Sequence, residues 1–465
     1  MIAEYVALSI YLIVLAFITC FSIKKGSDDD FLSASHNVGW KQLSISFFSS
    51  AFSSYNVAVT LTFAFLYGPY VLIIFLGVLG AFYGIYLVSS KYQKEINDIS
   101  FNNIIDLFVR GYDYKVSTLI HLSFVFILGL FIILQLFINT SIFRQLIGWN
   151  EYISSIVVGG IVFAYISVGG LKTEILTDVF QGVLMIIIVA LAFMVDTSSI
   201  TTGTITGMLS DMTALKAALS LGAVQLLTFL VQPEMWQRVA AARNLENLKK
   251  GMITGWGLLL VVIVPVITIG MAVNASGVAS PGNNLFMDVL NQAAPDWYLP
   301  FLLVALFAAF MSTLDSSLFA VASQLGKYGF VVQPSDAEED DSAADNSSRR
   351  RGLTKNIRAT IAVVMVACLA GSLFLGSFLQ GVFDLISMMT VISVSLLISF
   401  VLRLSSNRTF IIILVGIASY FFALFGGYIT SEAITTLYPS VLVILYTVLQ
   451  EALSYVYNTY YRYVR

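Results

Sequence analysis

The chain has 465 residues, 58% of them hydrophobic and only 11% charged, against roughly a quarter charged in soluble globular proteins. Runs of about 20 apolar residues recur from end to end, which excludes a soluble domain and points to an all-α integral membrane protein. The net charge of −3 decides little; Cys20 and Cys368 sit in apolar runs and imply no disulfide framework, and His36 and His121 are too far apart to suggest a metal site.

Thirteen spans are expected, at about 2–22, 42–68, 70–89, 117–147, 151–167, 174–195, 214–236, 251–273, 298–325, 356–377, 380–402, 409–426 and 433–456. The first lacks a leading basic region and a small-residue cleavage site, so it reads as a retained span. The second carries "FSSAFSSYN" over 48–56, five small polar residues in nine. Such a stretch serves close helix packing, or marks a broken helix with free carbonyls of the kind that forms ion sites in secondary transporters. In "GGLKTEILTDVFQGVLM" (169–185), Gly169 and Gly170 make a short turn, and the next helix carries Asp178. That residue is either an ordinary interfacial aspartate near a helix start or a functional one at membrane depth.

The ninth span holds "FMSTLDSSLF" (310–319). Ser312, Asp315 and Ser316 are spaced i, i+3, i+4 and share one helix face, with Thr313 beside it. At 1.5 Å per residue, Ser312 lies roughly 21 Å down a helix that starts near 298. Hydroxyl and carboxylate oxygens suit a hard cation with little hydration. The hydroxyls can equally bond backbone carbonyls or a neighbouring helix, but that does not account for Asp315. Asp178 and Asp315 fall at comparable depth and would repel each other if both were ionised; a cation between them, or a proton on one, resolves this. Segment 332–356 is acidic, then basic, and reads as a solvated cytoplasmic loop. Lys and Arg collect in alternate loops, with Arg238, Arg243, Lys249 and Lys250 after the seventh span, and only Arg144 and Lys216 fall on the opposite side. The N-terminus is therefore expected outside and the C-terminus in the cytoplasm of a plasma (inner) membrane.

At this point four stretches resemble the sodium/solute symporter family, whose members carry sugars, proline, pantothenate, iodide or sialic acid. "VGGLKTEILTDVFQGVLM" is similar to its Gly-Gly-Leu-Lys…Thr-Asp-x-x-Gln signature, "FMSTLDSSLFAVASQL" to its sodium-site helix, and "QPEMWQRVAAARN" to its Gln-Pro…Gln-Arg…Ala-Ala-Arg segment. "FLSASHNVGWKQLSISFFSSAFSS" resembles the approach to its first core helix. The resemblance implies the LeuT-type five-plus-five inverted-repeat fold in one transmembrane domain over 1–465. Core repeats would cover about 42–195 and 214–402, with peripheral helices at 2–22, 409–426 and 433–456. It implies Na⁺ as the coupling ion. The main site would use carbonyls of Ser49, Phe52 and Ala309 with the hydroxyls of Ser312 and Thr313. Asp178, Asp315 and Ser316 match a second sodium position that only some members use. Tyr55, Asn56, Gln135, Asn139, Gln225 and Thr228 would line the solute cavity, although each also reads as an interhelical hydrogen bond. The chain lacks an acid in span two and has Phe131 where the sialic-acid type has arginine, which favours a small neutral or zwitterionic solute.

The expected partners are that solute and the lipid bilayer. Neither nucleic acid nor an obligate protein partner is indicated, and no nucleophile–base pair suggests an enzyme. Two alternatives stay open. One is a transporter-like solute sensor, which usually carries an appended signalling domain. The other is a carrier driven by protons through Asp178 and Asp315.

Overall fold

The computed structural model describes residues 2–23, 31–32, 34–52, 54–96, 104–192, 194, 197–277, 297–333, 343–375, 378–430 and 432–464. A bilayer leaves backbone groups no water to bond, so an apolar chain of this kind meets its own N–H groups within helices. Among the described residues every element is helical, apart from one isolated parallel bridge between Val38 and Ala242.

In chain order the main helices are α1 (Ile2–Ile23), α2 (Trp40–Ala51), α3 (Ser54–Tyr67), α4 (Leu72–Lys91), α5 (Gln93–Ile96), α6 (Ile104–Gly111), α7 (Tyr114–Ile147) and α8 (Glu151–Met185). They continue as α9 (Ile187–Ala192), α10 (Thr202–Leu209), α11 (Met212–Val231), α12 (Pro233–Ala241), α13 (Leu245–Ala275) and α14 (Leu299–Tyr328). The last four are α15 (Ala343–Ser372), α16 (Phe378–Val401), α17 (Ser406–Phe425) and α18 (Tyr438–Val464). Side-chain caps set several starts: Asp113 accepts from the Val116 N–H ahead of α7, Asp211 from those of Thr213 and Ala214 ahead of α11, and Asn244 from that of Asn247 ahead of α13.

Eleven helical runs among the described residues are long and apolar enough to cross a membrane. Two of them, Asn56–Lys91 with 36 residues and Tyr152–Val189 with 38, far exceed the roughly 20 that one crossing needs. Each overlaps two of the expected spans and holds a glycine with positive φ, Gly68 (φ 58°) in the first and Gly170 (φ 64°, ψ −164°) in the second. The turn expected at Gly169 and Gly170 is thus a single-residue break, with helix resuming at once. Segment 332–356 is not loop throughout, because α15 begins at Ala343. Residues 343–356 contain no proline, and three consecutive arginines, Arg349–Arg351, sit within the part of the helix that precedes its apolar run.

α14 is the axis of the bundle. Every residue from Leu302 to Gln324 is buried, and the helix packs against α1, α2, α7, α8 and α15. α13 lies along α2 and α3, and α4 along α11. The last pair meets backbone to backbone: a Cβ on Gly77 would stand 2.2 Å from the Gly222 carbonyl oxygen. This is the small-residue contact expected where helices pack in lipid.

Candidate functional site

Two helices are interrupted in the core. α2 stops at Ala51, Phe52 leaves helical geometry (φ −118°, ψ 82°), and α3 begins at Ser54. The expected seventh span, 214–236, is broken as well. Gln232 takes an extended ψ of 119° between α11 and α12. The cause is Pro233, whose ring drives the residue before it out of the α region. Such breaks leave carbonyls without an i+4 donor, free to face an ion or a solute.

The break regions are tied together at the start of α2. Val38 N–H donates to the Ala241 carbonyl (2.9 Å) and Arg243 N–H returns to that of Val38 (3.1 Å). Arg243 Nε also donates to Asn37 Oδ1 (2.8 Å). Two stretches that the sequence singled out, around 31–40 and 232–244, therefore form one contact.

All five residues of the expected main cation site are buried, on α2, on α14 and at the α2 break. Ser49 Oγ donates to the Ser46 carbonyl (3.2 Å), and Thr313 Oγ1 makes a long bond to the Ala309 carbonyl (3.4 Å). Ser46 on α2 and Ser312 on α14 donate to the two oxygens of Asp178, at 2.5 Å each. One carboxylate of α8 thus gathers α2 and α14 at one level, the convergence that the sequence pattern implied. The hydroxyl of Ser312 is spent as a donor on Asp178, so its lone pairs are what it can offer an ion.

The expected second position, Asp178 with Asp315 and Ser316, lies inside a larger cluster. Glu174, one turn before Asp178, accepts from Ser316 Oγ (2.7 Å). Glu234 Oε1 accepts from Ser317 Oγ (2.6 Å). Asp315 Oδ2 accepts from the Tyr165 hydroxyl across the bundle. Arg238 stands at the centre: its Nη2 reaches Asp178 Oδ2 (2.8 Å), Glu174 Oε1 (3.1 Å) and Ser316 Oγ (2.8 Å). The side chains of Arg238, Glu174 and Asp178 are fully buried. Arg238 was expected in a cytoplasmic loop among other loop cations. It lies instead in the protein interior, because α12 turns back into the bundle after the Pro233 break.

Glu174, Glu234 and Arg238 carried a sequence signal that was not used. Glu174 and Asp178 are spaced i, i+4, as are Glu234 and Arg238 just after a helix-starting proline, so each pair shares a face. Nothing local marks Tyr165 or Ser46 as partners.

A cavity of about 70 Å³ lies between the two breaks. Asn56, Gln225 and Thr228 line it as expected, together with Ser50, Thr60 and Gln232, and Phe131 forms part of the wall. Among the described residues no ionisable side chain lines it. Ser50 Oγ and Gln232 Oε1 are buried without a hydrogen-bond partner, which makes them ready to bond a polar solute. Gln135 and Asn139 are not in the lining; Asn139 Nδ2 bonds the Gln135 carbonyl (2.7 Å). Tyr55 belongs to α3, but its side chain falls outside what the structure describes. A second cavity, about 600 Å³, opens beside α4, α6, α12 and α16, with Lys91, Glu95, Trp236 and Arg403 in its walls.

A family profile described as sodium:solute symporter family matches residues 31–402. A Na⁺-coupled sialic acid symporter in a substrate-bound outward-open state superposes with a TM-score of 0.74 at 16% identity, over 95% of this chain and 96% of that one. Mhp1, a nucleobase-cation-symport-1 family transporter in a closed conformation with bromovinylhydantoin bound, superposes with a TM-score of 0.51 at 14% identity, over 92% and 95%. No curated protein matches significantly by sequence.

Proposed function

The chain belongs to the sodium:solute symporter family of multi-pass transporters, not enzymes, and is a sodium-coupled transporter; from that premise we propose that it imports a small neutral or zwitterionic organic solute by alternating access. The observation that carries this reading is the meeting of α2 and α14 at Asp178, beside an interrupted α2 and next to a cavity whose described walls are uncharged and set six polar side chains among apolar ones.

Sodium would be held by carbonyls of Ser49, Phe52 and Ala309 and by the Ser312 and Thr313 hydroxyls. Bound there, it links the α2 break to α14 and supplies the charge that the membrane potential acts on. Each charge moved across 100 mV is worth about 2.3 kcal/mol. A neutral cavity wall suits a solute with no net charge, since an uncompensated ion would lose its hydration there. Asn56, Gln225, Thr228, Ser50 and Gln232 would orient it by hydrogen bonds. The residues 42–195 and 214–402 would form the two repeats, each beginning with a broken helix. The larger cavity, with Lys91 and Arg403 in its walls, would be a cytoplasmic vestibule, in a plasma (inner) membrane with the N-terminus outside and the C-terminus inside.

The test is a titration of purified protein with NaCl against choline chloride at fixed ionic strength, read by tryptophan fluorescence or thermal stability. A saturable, sodium-specific response is expected. In Ser312→Ala/Thr313→Ala, loss of two oxygen ligands at about 1–1.5 kcal/mol each weakens it by about 30- to 150-fold. A wild type indifferent to sodium would sink the reading.

A further inference from the structure

We propose that Arg238 is a resident cation that takes the place of a second sodium ion at Asp178. The proposal rests on the sodium-coupled reading above and specifies its stoichiometry as one ion.

The geometry carries it. Nη2 of Arg238 lies 2.8 Å from Asp178 Oδ2 and 2.8 Å from Ser316 Oγ, two oxygens that a second ion would need, and 3.1 Å from Glu174 Oε1. An ion bound to those oxygens would overlap the nitrogen. Asp178 is also heavily engaged, since Oδ1 accepts from Ser312 and Oδ2 from both Ser46 and Arg238. The guanidinium is also held from its other sides. Nε donates to Ser46 Oγ (2.9 Å) and Nη1 to the Glu234 carbonyl (2.9 Å). All three of its nitrogens are engaged, with no solvent exposure. For a metal ion to enter, the arginine would have to leave a site where its Nη2 bonds two carboxylates. It would also have to find a new counter-charge within an apolar bundle.

Among these contacts Arg238 is the single cation, set against Asp178 and Glu174 directly and Asp315 and Glu234 nearby. A tethered charge offsets part of this acidic cluster whether or not sodium is present. It also fixes Asp178 so that Ser312 donates inward and keeps its lone pairs for the first ion, as an outer carboxylate orients a metal ligand. Asp178 is thus a positioning residue for the main site.

The experiment is equilibrium binding of radioactive sodium to purified full-length protein, together with sodium-dependent thermal stability. Wild type is expected to bind one ion with a Hill coefficient near one. Arg238→Gln exposes Asp178 and Glu174 to the ion, so it should bind a second sodium and show a steeper sodium dependence of stability. Arg238→Lys keeps the charge and should stay at one. If Arg238→Gln does not fold, Asp178→Asn decides: one ion in both proteins, with weaker affinity in the variant, supports the proposal. Two ions in the wild type with one lost in Asp178→Asn overturns it, as does a folded Arg238→Gln that still binds one. No sodium binding in the wild type overturns the coupled reading itself, a result distinct from either.

Discussion

Gly170 is the sharpest place to perturb the site without touching it. Its φ of 64° and ψ of −164° lie in a region that side chains rarely enter, at a cost of about 1–3 kcal/mol for alanine. Space is closed as well. A Cβ there would stand 2.4 Å from Phe31 Cδ2 and 2.6 Å from its backbone oxygen. Phe31 cannot step aside easily, since its ring packs edge-on against Phe319 (5.6 Å) and the Arg358 guanidinium covers it at 5.1 Å. Overpacking adds about 1–3 kcal/mol, so Gly170→Ala should destabilise by about 2–6 kcal/mol. The kink aims the half of α8 that carries Glu174 and Asp178, so sodium affinity should fall with stability. Unfolding of detergent-solubilised protein in increasing dodecyl sulfate would measure it. Gly160→Ala, on the same helix with open space at its Cβ, is the control and should shift by no more than about 1 kcal/mol. Equal behaviour of the two variants would refute the reasoning.

Gly77→Ala should force α4 from α11 and lower the folded yield on fluorescence-detected gel filtration; Gly84→Ala, which meets only the tip of Leu230, should be milder. Asp106→Asn weakens the bonds that buried Asp106 accepts from Lys327 Nζ (2.8 Å) and the Tyr328 hydroxyl (2.6 Å). It should cost about 1–3 kcal/mol and speed hydrogen exchange in α6. Gln232→Ala removes one cavity acceptor and should weaken solute binding by about 5- to 10-fold while leaving the sodium titration unchanged.

Hydropathy alone located the long helices, because a span of lipid demands an apolar run whatever the tertiary fold. The face shared by Ser312, Asp315 and Ser316 was equally legible, since helical spacing is local. Asp178 stood out because a carboxylate among apolar neighbours needs a reason. What stayed hidden depended on where a broken chain goes next. Arg238 looks like a loop cation until Pro233 is seen to turn α12 inward. Ser46 and Tyr165 are unremarkable residues whose importance comes from helices far away in sequence. Gln135 and Asn139 do not line the cavity that holds Asn56, Gln225 and Thr228, a placement no local pattern indicates. The helix start at Ala343 was hidden as well, because Asp, Asn, Ser, Gly and Thr make up half of 343–356 and read as loop.

The bridge between Val38 and Ala242 has a mechanical meaning. It ties the chain leading into α2 to the far end of α12 through two backbone hydrogen bonds, so a tilt of either interrupted helix alone would strain them. They form a single lever with two arms, one reaching the Phe52 break and the other carrying Arg238. A swing that opens the bundle must carry both arms together, and the yielding surface has to be the one they share with α8 and α14. The amides of Val38 and Arg243 should then stay protected from exchange throughout the transport cycle, a fixed point around which the rest of the site changes.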